Sequence, residues 1–150
     1  MRKNVQIVLT VDAEKLYHMK NYNQDDIDTY CTLTDDNDGT TNNGKVQDFL
    51  SNVYLSKSVE WVGASSNNDY PVAIDRTAYD FDLNDPTDIY FLEDDEKIYG
   101  TGGKNSKVVA TVKDQEDIVS TQNIYKINFS IYYKNNRKEF LVDPKLKANT

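Results

Sequence analysis

The run Asp35-Asp36-Asn37-Asp38-Gly39 gathers carboxylates at the density that a hard cation needs. Asp35, Asp36 and Asp38 are the candidate calcium ligands, with Asp82 or Asp85 available from another loop. The run is not an EF-hand. With Gly39 in the glycine position of that loop, position one is Thr34 and position twelve is Lys45, where a bidentate Glu belongs. A second constellation joins Trp61 and Tyr70 with Asn67 and Asp69 between them. An aromatic face beside side chains that bond hydroxyl groups suits a sugar, and the same Trp61 also suits the anchor of a core.

Nucleophilic chemistry has little to work with. His18 is the only imidazole and Cys31 the only thiol, so any Ser-His-Asp or Cys-His arrangement must use them. One His and one Cys do not complete a tetrahedral zinc site. Gly100-Thr101-Gly102-Gly103-Lys104 lacks the first glycine and the final hydroxyl of a phosphate-binding loop, because Ile98 and Asn105 stand there, and it reads as a bend between strands. Among 25 acidic residues no catalytic pair stands out. The sequence predicts that this is not an enzyme and, calcium aside, that it carries no cofactor.

The elements that must position these residues are strands. Tyr125, Ile127, Phe129, Ile131 and Tyr133 alternate with Lys126, Asn128, Ser130 and Tyr132, and only a strand puts alternate side chains on one face. Lys134-Asn135-Asn136-Arg137 suits a tight turn, and Pro144 predicts the end of the returning strand. Val5-Gln6-Ile7-Val8-Leu9-Thr10-Val11 is a first strand, followed by a short helical turn capped by Asp12. Further strands are expected within residues 27–34, 53–62, 72–81, 89–92, 98–99 and 108–112. Residues 35–44 read as a polar loop, and Asp82-Leu83-Asn84-Asp85-Pro86 as a turn. The pattern predicts one all-β domain, an antiparallel, jelly-roll-like sandwich of about seven to nine strands with at most short helical turns.

Composition limits the partners. At 150 residues the chain buries roughly 70% of its unfolded surface, enough for a core without disulfides. A net charge of −8 argues against a nucleic-acid backbone and against an anionic membrane surface. The start Met1-Arg2-Lys3-Asn4 leads straight into a strand, no apolar run reaches spanning length, and a lone cysteine leaves no mark of an oxidising compartment. The expected localisation is cytoplasmic.

Three blocks together resemble the PixA/AidA family of bacterial inclusion-body proteins. The first is Val5-Gln6-Ile7-Val8-Leu9-Thr10-Val11-Asp12-Ala13-Glu14. The second is Val59-Glu60-Trp61-Val62 with Ser65-Ser66, Asp69-Tyr70 and Val72. The third is the hairpin from Tyr125 through Phe129 and Ile131 to Phe140 and Val142-Asp143-Pro144-Lys145. The resemblance implies a compact β-sandwich made in the cytoplasm that accumulates or self-associates as a homo-oligomer, with no established enzymatic activity. Only Met1 and Met19 are methionines, so a methionine-rich storage role does not carry over. The second reading is a carbohydrate-binding, lectin-like module, calcium-assisted, that uses Trp61, Asn67, Asp69 and Tyr70 on a glycan.

Overall fold

The computed structural model describes residues 2–41, 44–80 and 89–150, with the side chains of Thr40 and Thr41 left aside. Two sheets face each other. The four-stranded sheet runs in the order β2 (Cys31–Asp35), β1 (Val5–Val11), β5 (Ser58–Ser65), β8 (Val108–Thr111). The other sheet has seven strands: β3 (Thr40–Thr41), β4 (Phe49–Tyr54), β11 (Lys145–Asn149), β9 (Gln122–Tyr133), β6 (Val72–Tyr79) and β7 (Lys97–Tyr99), with β10 (Asn136–Val142) also paired to β9. Among the described residues the helices are α1 (Ala13–His18), α2 (Gln24–Thr29) and two single turns, and none is long and apolar enough to cross a membrane.

Period two explains the core. In β1, Val5, Ile7, Leu9 and Val11 are at most 2% exposed, while Gln6 and Thr10 face solvent. In β9 the buried apolar residues Tyr125, Ile127, Phe129 and Ile131 follow the alternation, while Tyr133 is half-buried and Ser130 on the opposite face is buried as well. These faces meet Trp61, Ile74, Phe91 and Val142 between the sheets, where each fully buried large apolar side chain contributes about 1.5–3 kcal/mol.

The hairpin closes through two residues, since Tyr133 is opposite Asn136. Its left-handed residue is Lys134, at φ 56°, while Asn136 is already in the strand, so the turn sits one position earlier than an asparagine pair would place it. Pro144 ends β10 as expected. The chain then continues as β11, and the Pro144 carbonyl accepts from Tyr125 N at 3.1 Å.

Several expectations change. The sheets are mixed rather than purely antiparallel: β1 runs parallel to β5, pairing Ile7 with Trp61, and β11 runs parallel to β4, pairing Leu146 with Ser51. A parallel pair needs a long crossover, which the chain between Val11 and Ser58 supplies. The described strands number eleven, the additions including the two-residue β3 inside the expected loop and β11 beyond the proline. Residues 27–34 divide between α2 and β2. The Asn23 side chain accepts from Asp26 N, and Asp26 accepts from Asn23 N, a reciprocal cap that starts a helix where strand propensity was weak. Residues 89–92 contribute only an isolated bridge from Leu92 to Val112. Phe81 and the turn Asp82-Leu83-Asn84-Asp85-Pro86 lie outside the described residues.

Candidate functional site

The residues singled out at Asn67, Asp69 and Tyr70 occupy one pole of the sandwich, between the end of α1 and the tip of the β9–β10 hairpin. The loop that carries them folds on its own side chains. Ser65 Oγ donates to Asn67 O at 2.8 Å, Asn67 Oδ1 accepts from Asp69 N at 3.0 Å, and Tyr70 N donates to Asn67 O at 2.9 Å. Asn67 Nδ2 then reaches Glu14 Oε2 at 2.9 Å, tying the loop to α1. This geometry turns Tyr70 inward.

Tyr70 lands in an aromatic cluster. Its ring stacks on Tyr133 with centroids 4.3 Å apart and planes 9° from parallel, and its hydroxyl is hydrogen-bonded to His18 Nε2 at 2.8 Å. Tyr17 meets Tyr70 at 5.8 Å and Tyr133 at 5.6 Å in tilted and edge-on contacts. Two lysines of the hairpin complete the box. Lys138 Nζ sits 4.4 Å over the Tyr17 ring and donates to Tyr17 O at 2.6 Å, and Lys134 Nζ lies 5.2 Å from the Tyr133 centroid.

The cluster joins α1, the β5–β6 loop and the hairpin tip. Burial, followed by the neighbouring Tyr133 hydroxyl and the Glu14 and Asp69 carboxylates, pushes the Tyr70 phenol up to about 12. Tyr70 is therefore neutral in the physiological range and supplies no base. With Tyr70 only 5% exposed and stacked on Tyr133, it presents no open ring face to a sugar. Asn67 and Asp69 remain as a polar rim.

Trp61 is elsewhere. It is 1% exposed, at the centre of the core, and its Nε1 donates to the buried Tyr125 hydroxyl at 2.9 Å with ring centroids 5.6 Å apart. Burial drives the Tyr125 phenol well above the ordinary range, opposed only in part by that bond. The glycan platform expected from Trp61 with Tyr70 is thus not an open surface. The core-anchor reading holds for Trp61, which shares the buried face of β5 with Val59.

The acidic run is also committed to its own fold. One oxygen of Asp35 accepts from Asn37 N and Gly39 N, each at 2.8 Å, and the other accepts the Ser51 hydroxyl. Asp36 Oδ1 accepts from Gln6 N at 3.0 Å and lies 4.0 Å from Lys3 Nζ. Asp38 is exposed in the left-handed region at φ 55°. Gly39 is required where it stands, since a Cβ there would meet Phe49 Cζ at 2.7 Å and press on the Asp35 carboxylate. Among the described residues no three His, Cys, Asp or Glu side chains are grouped to hold a metal. Of the calcium ligands expected, Asp35 and Asp36 are thus turn and strand-edge acceptors, Asp38 stands exposed beside them, and Asp82 and Asp85 lie outside the described residues.

Cys31 is 6% exposed, and burial, helped by Asp28, lifts its thiol to about 12, so it is not a thiolate nucleophile. It borders a cavity of about 520 Å³ between α2 and residues 44–47, with Asp25, Asp28 and Lys45. His18 is engaged with Tyr70 instead. Sequence reasoning missed Tyr17, Tyr133, Lys134 and Lys138 as members of the pole. Its only available sign was the spacing of Tyr133, Lys134 and Lys138 around the turn.

No family model matches the sequence, and no curated protein matches it. Among solved structures, the chain is similar to the crystal structure of the inclusion body protein PixA from Burkholderia cenocepacia J2315. The TM-score is 0.56 at 11% identity, and the match covers 98% of this chain and 96% of that one. The two share a fold along nearly their whole lengths.

Proposed function

We propose that this chain is a non-catalytic, self-associating bacterial protein of the PixA/AidA inclusion-body type, working in the cytoplasm. The observation that carries this reading is the fold it shares, end to end, with an inclusion body protein. The chemistry agrees. His18 is bonded to Tyr70, Cys31 is buried, Asp35 and Asp36 accept backbone N–H groups, and Trp61 and Tyr70 pack against other aromatic rings. An accumulating protein needs a stable core and self-complementary surface rather than a cleft.

Sedimentation velocity on the purified chain over a wide range of concentrations tests the proposal. It predicts a weight-average sedimentation coefficient that rises with concentration as dimers and larger species form. A single monomeric boundary at every concentration would contradict it.

A further inference from the structure

Self-association needs an available surface, and strand edges supply backbone groups that seek partners. Three described edges are closed or short. In β2, Asp36 N donates to Gln6 O and Asp12 N to Tyr30 O, so the even residues face β1 and the odd ones face outward. The outward residues Cys31 and Leu33 are 6% and 3% exposed, so their backbone groups are largely covered where they stand. On β8, Thr111 N donates to Asp94 Oδ2 and Thr111 O accepts from Glu93 N, while Lys107 exchanges bonds with Thr101, so Val109 alone is open between two covered positions. β7 has three residues.

β10 differs. Tyr132 N donates to Pro71 O, so the even residues of β9 bond to β6 and the odd ones to β10. Asn136, Lys138, Phe140 and Val142 therefore bond back to β9, and Arg137, Glu139 and Leu141 direct their N–H and C=O groups outward. Gln24 Nε2 covers Leu141 O at 2.7 Å, which confirms that direction. Residues 136–139 are all exposed, and no backbone partner is found among the described residues for the outward groups of Arg137 and Glu139.

We propose that two copies of this chain pair β10 to β10 across a two-fold axis at Lys138, so that Arg137 of each faces Glu139 of the other. The inference rests on the self-association proposed above and names its contact. Four backbone hydrogen bonds form between residues 137 and 139 of the two copies. An exposed edge guarded by one sign of charge repels its own image, but Arg137 followed by Glu139 is complementary to itself under this axis. Arg137 is already within 3.2 Å of Asp75 and 2.7 Å of its own Glu139, so pairing extends an existing ion network. Lys138, which falls at the axis, has its ammonium drawn onto Tyr17 of its own subunit. The register also sets Asn135 of the partner opposite Leu141, beside a groove of about 290 Å³ between α2 and β10 lined by Gln24, Ile27 and Leu141. The hairpin tip has a place to go. The contact is isologous and closes at two, so a dimer is the first assembled species.

Charge reversal and mixing test this. Sedimentation equilibrium of Glu139→Lys and of Arg137→Glu, each checked for native circular dichroism, is expected to show association weakened about tenfold. An equimolar mixture restores it, because the two reversed edges complement each other. Glu139→Pro, which removes an N–H that the fold leaves unused, abolishes dimerisation while leaving the spectrum unchanged. If Arg137→Glu does not fold, the two Glu139 variants decide between the outcomes. A wild-type protein that associates while every folded variant associates equally well overturns this edge and leaves the functional proposal standing. Weakened variants that do not recover on mixing overturn the register. A wild-type protein that is monomeric throughout overturns the functional proposal itself.

Discussion

Two aromatic pairs connect the same neighbourhoods of sequence and do different work. Trp61 with Tyr125 lies between the sheets, hydrogen-bonded at 2.9 Å and closed to water, whereas Tyr70 with Tyr133 stacks at the pole under a rim of Asn67, Asp69, His18 and Lys134. The first pair fills volume. The second is a latch that holds the hairpin tip against α1 through Tyr17 and Lys138. Tyr70 and Tyr125 have similar exposure, 5% and 4%, but Tyr133 is only half-buried where Trp61 is fully buried. The difference lies in what surrounds each: apolar strands on every side for Trp61, and the ends of three separate elements for Tyr70.

The comparison can be broken by substitution. Trp61→Ala has the largest expected effect, about 3–5 kcal/mol of unfolding free energy in urea titrations, because it opens a cavity where both sheets converge. Tyr125→Phe keeps the volume and leaves the indole N–H buried without an acceptor, so a loss of about 1–3 kcal/mol is expected by the same method. Tyr133→Ala removes the stacked partner at the pole and costs less, about 1–2 kcal/mol. Its more specific signature is faster amide exchange at the hairpin tip, with the fluorescence of Trp61 unchanged. Should Tyr133→Ala instead shift that fluorescence as strongly as Tyr125→Phe does, the two pairs form one core and the distinction fails.

Alkaline titration sharpens the contrast without mutation. The folded state lifts Tyr70 from its ordinary value of 10.0 to about 12, so the protonated phenol favours folding fully below pH 10. That stability is lost as the pH climbs toward 12. Tyr125 is raised further still by complete burial. Unfolding midpoints measured from pH 9 to 12 should therefore decline above pH 10, and Tyr70→Phe should flatten the first part of the decline. A wild-type midpoint constant across that range would contradict the environment assigned to both phenols.

What the sequence could reveal follows from how each feature is encoded. The hairpin, β1 and the core face of β9 were legible, because period-two burial writes itself into adjacent residues such as Ile127, Phe129 and Ile131. Strand direction was not: nothing in Val5 to Val11 says that its neighbour Ser58 to Ser65 runs parallel to it. α2 was hidden because its apolar stripe is a single buried residue, Ile27, and its strongest signal is the Asn23–Asp26 cap rather than periodicity. The candidate ligand group read Trp61 and Tyr70 as one surface because they lie nine positions apart. In the fold, alternation with Val59 puts the indole inside, and the turn after Ser65 sends Tyr70 to another end of the molecule. The acidic run looked like a cation site since carboxylates are equally suited to accepting backbone N–H groups, as Asp35 does.

Edge strands differ in the same way as the aromatic pairs, one enclosed at β2 and one open at β10. The measurement that tests the account most directly is residue-resolved amide hydrogen exchange on the wild-type protein at low and high concentration. The amides of Arg137 and Glu139 should exchange freely in dilute solution and become protected when the protein is concentrated, while those of Lys138 and Phe140, bonded to β9, stay protected in both. Free exchange at Arg137 and Glu139 under both conditions would contradict assembly through this edge.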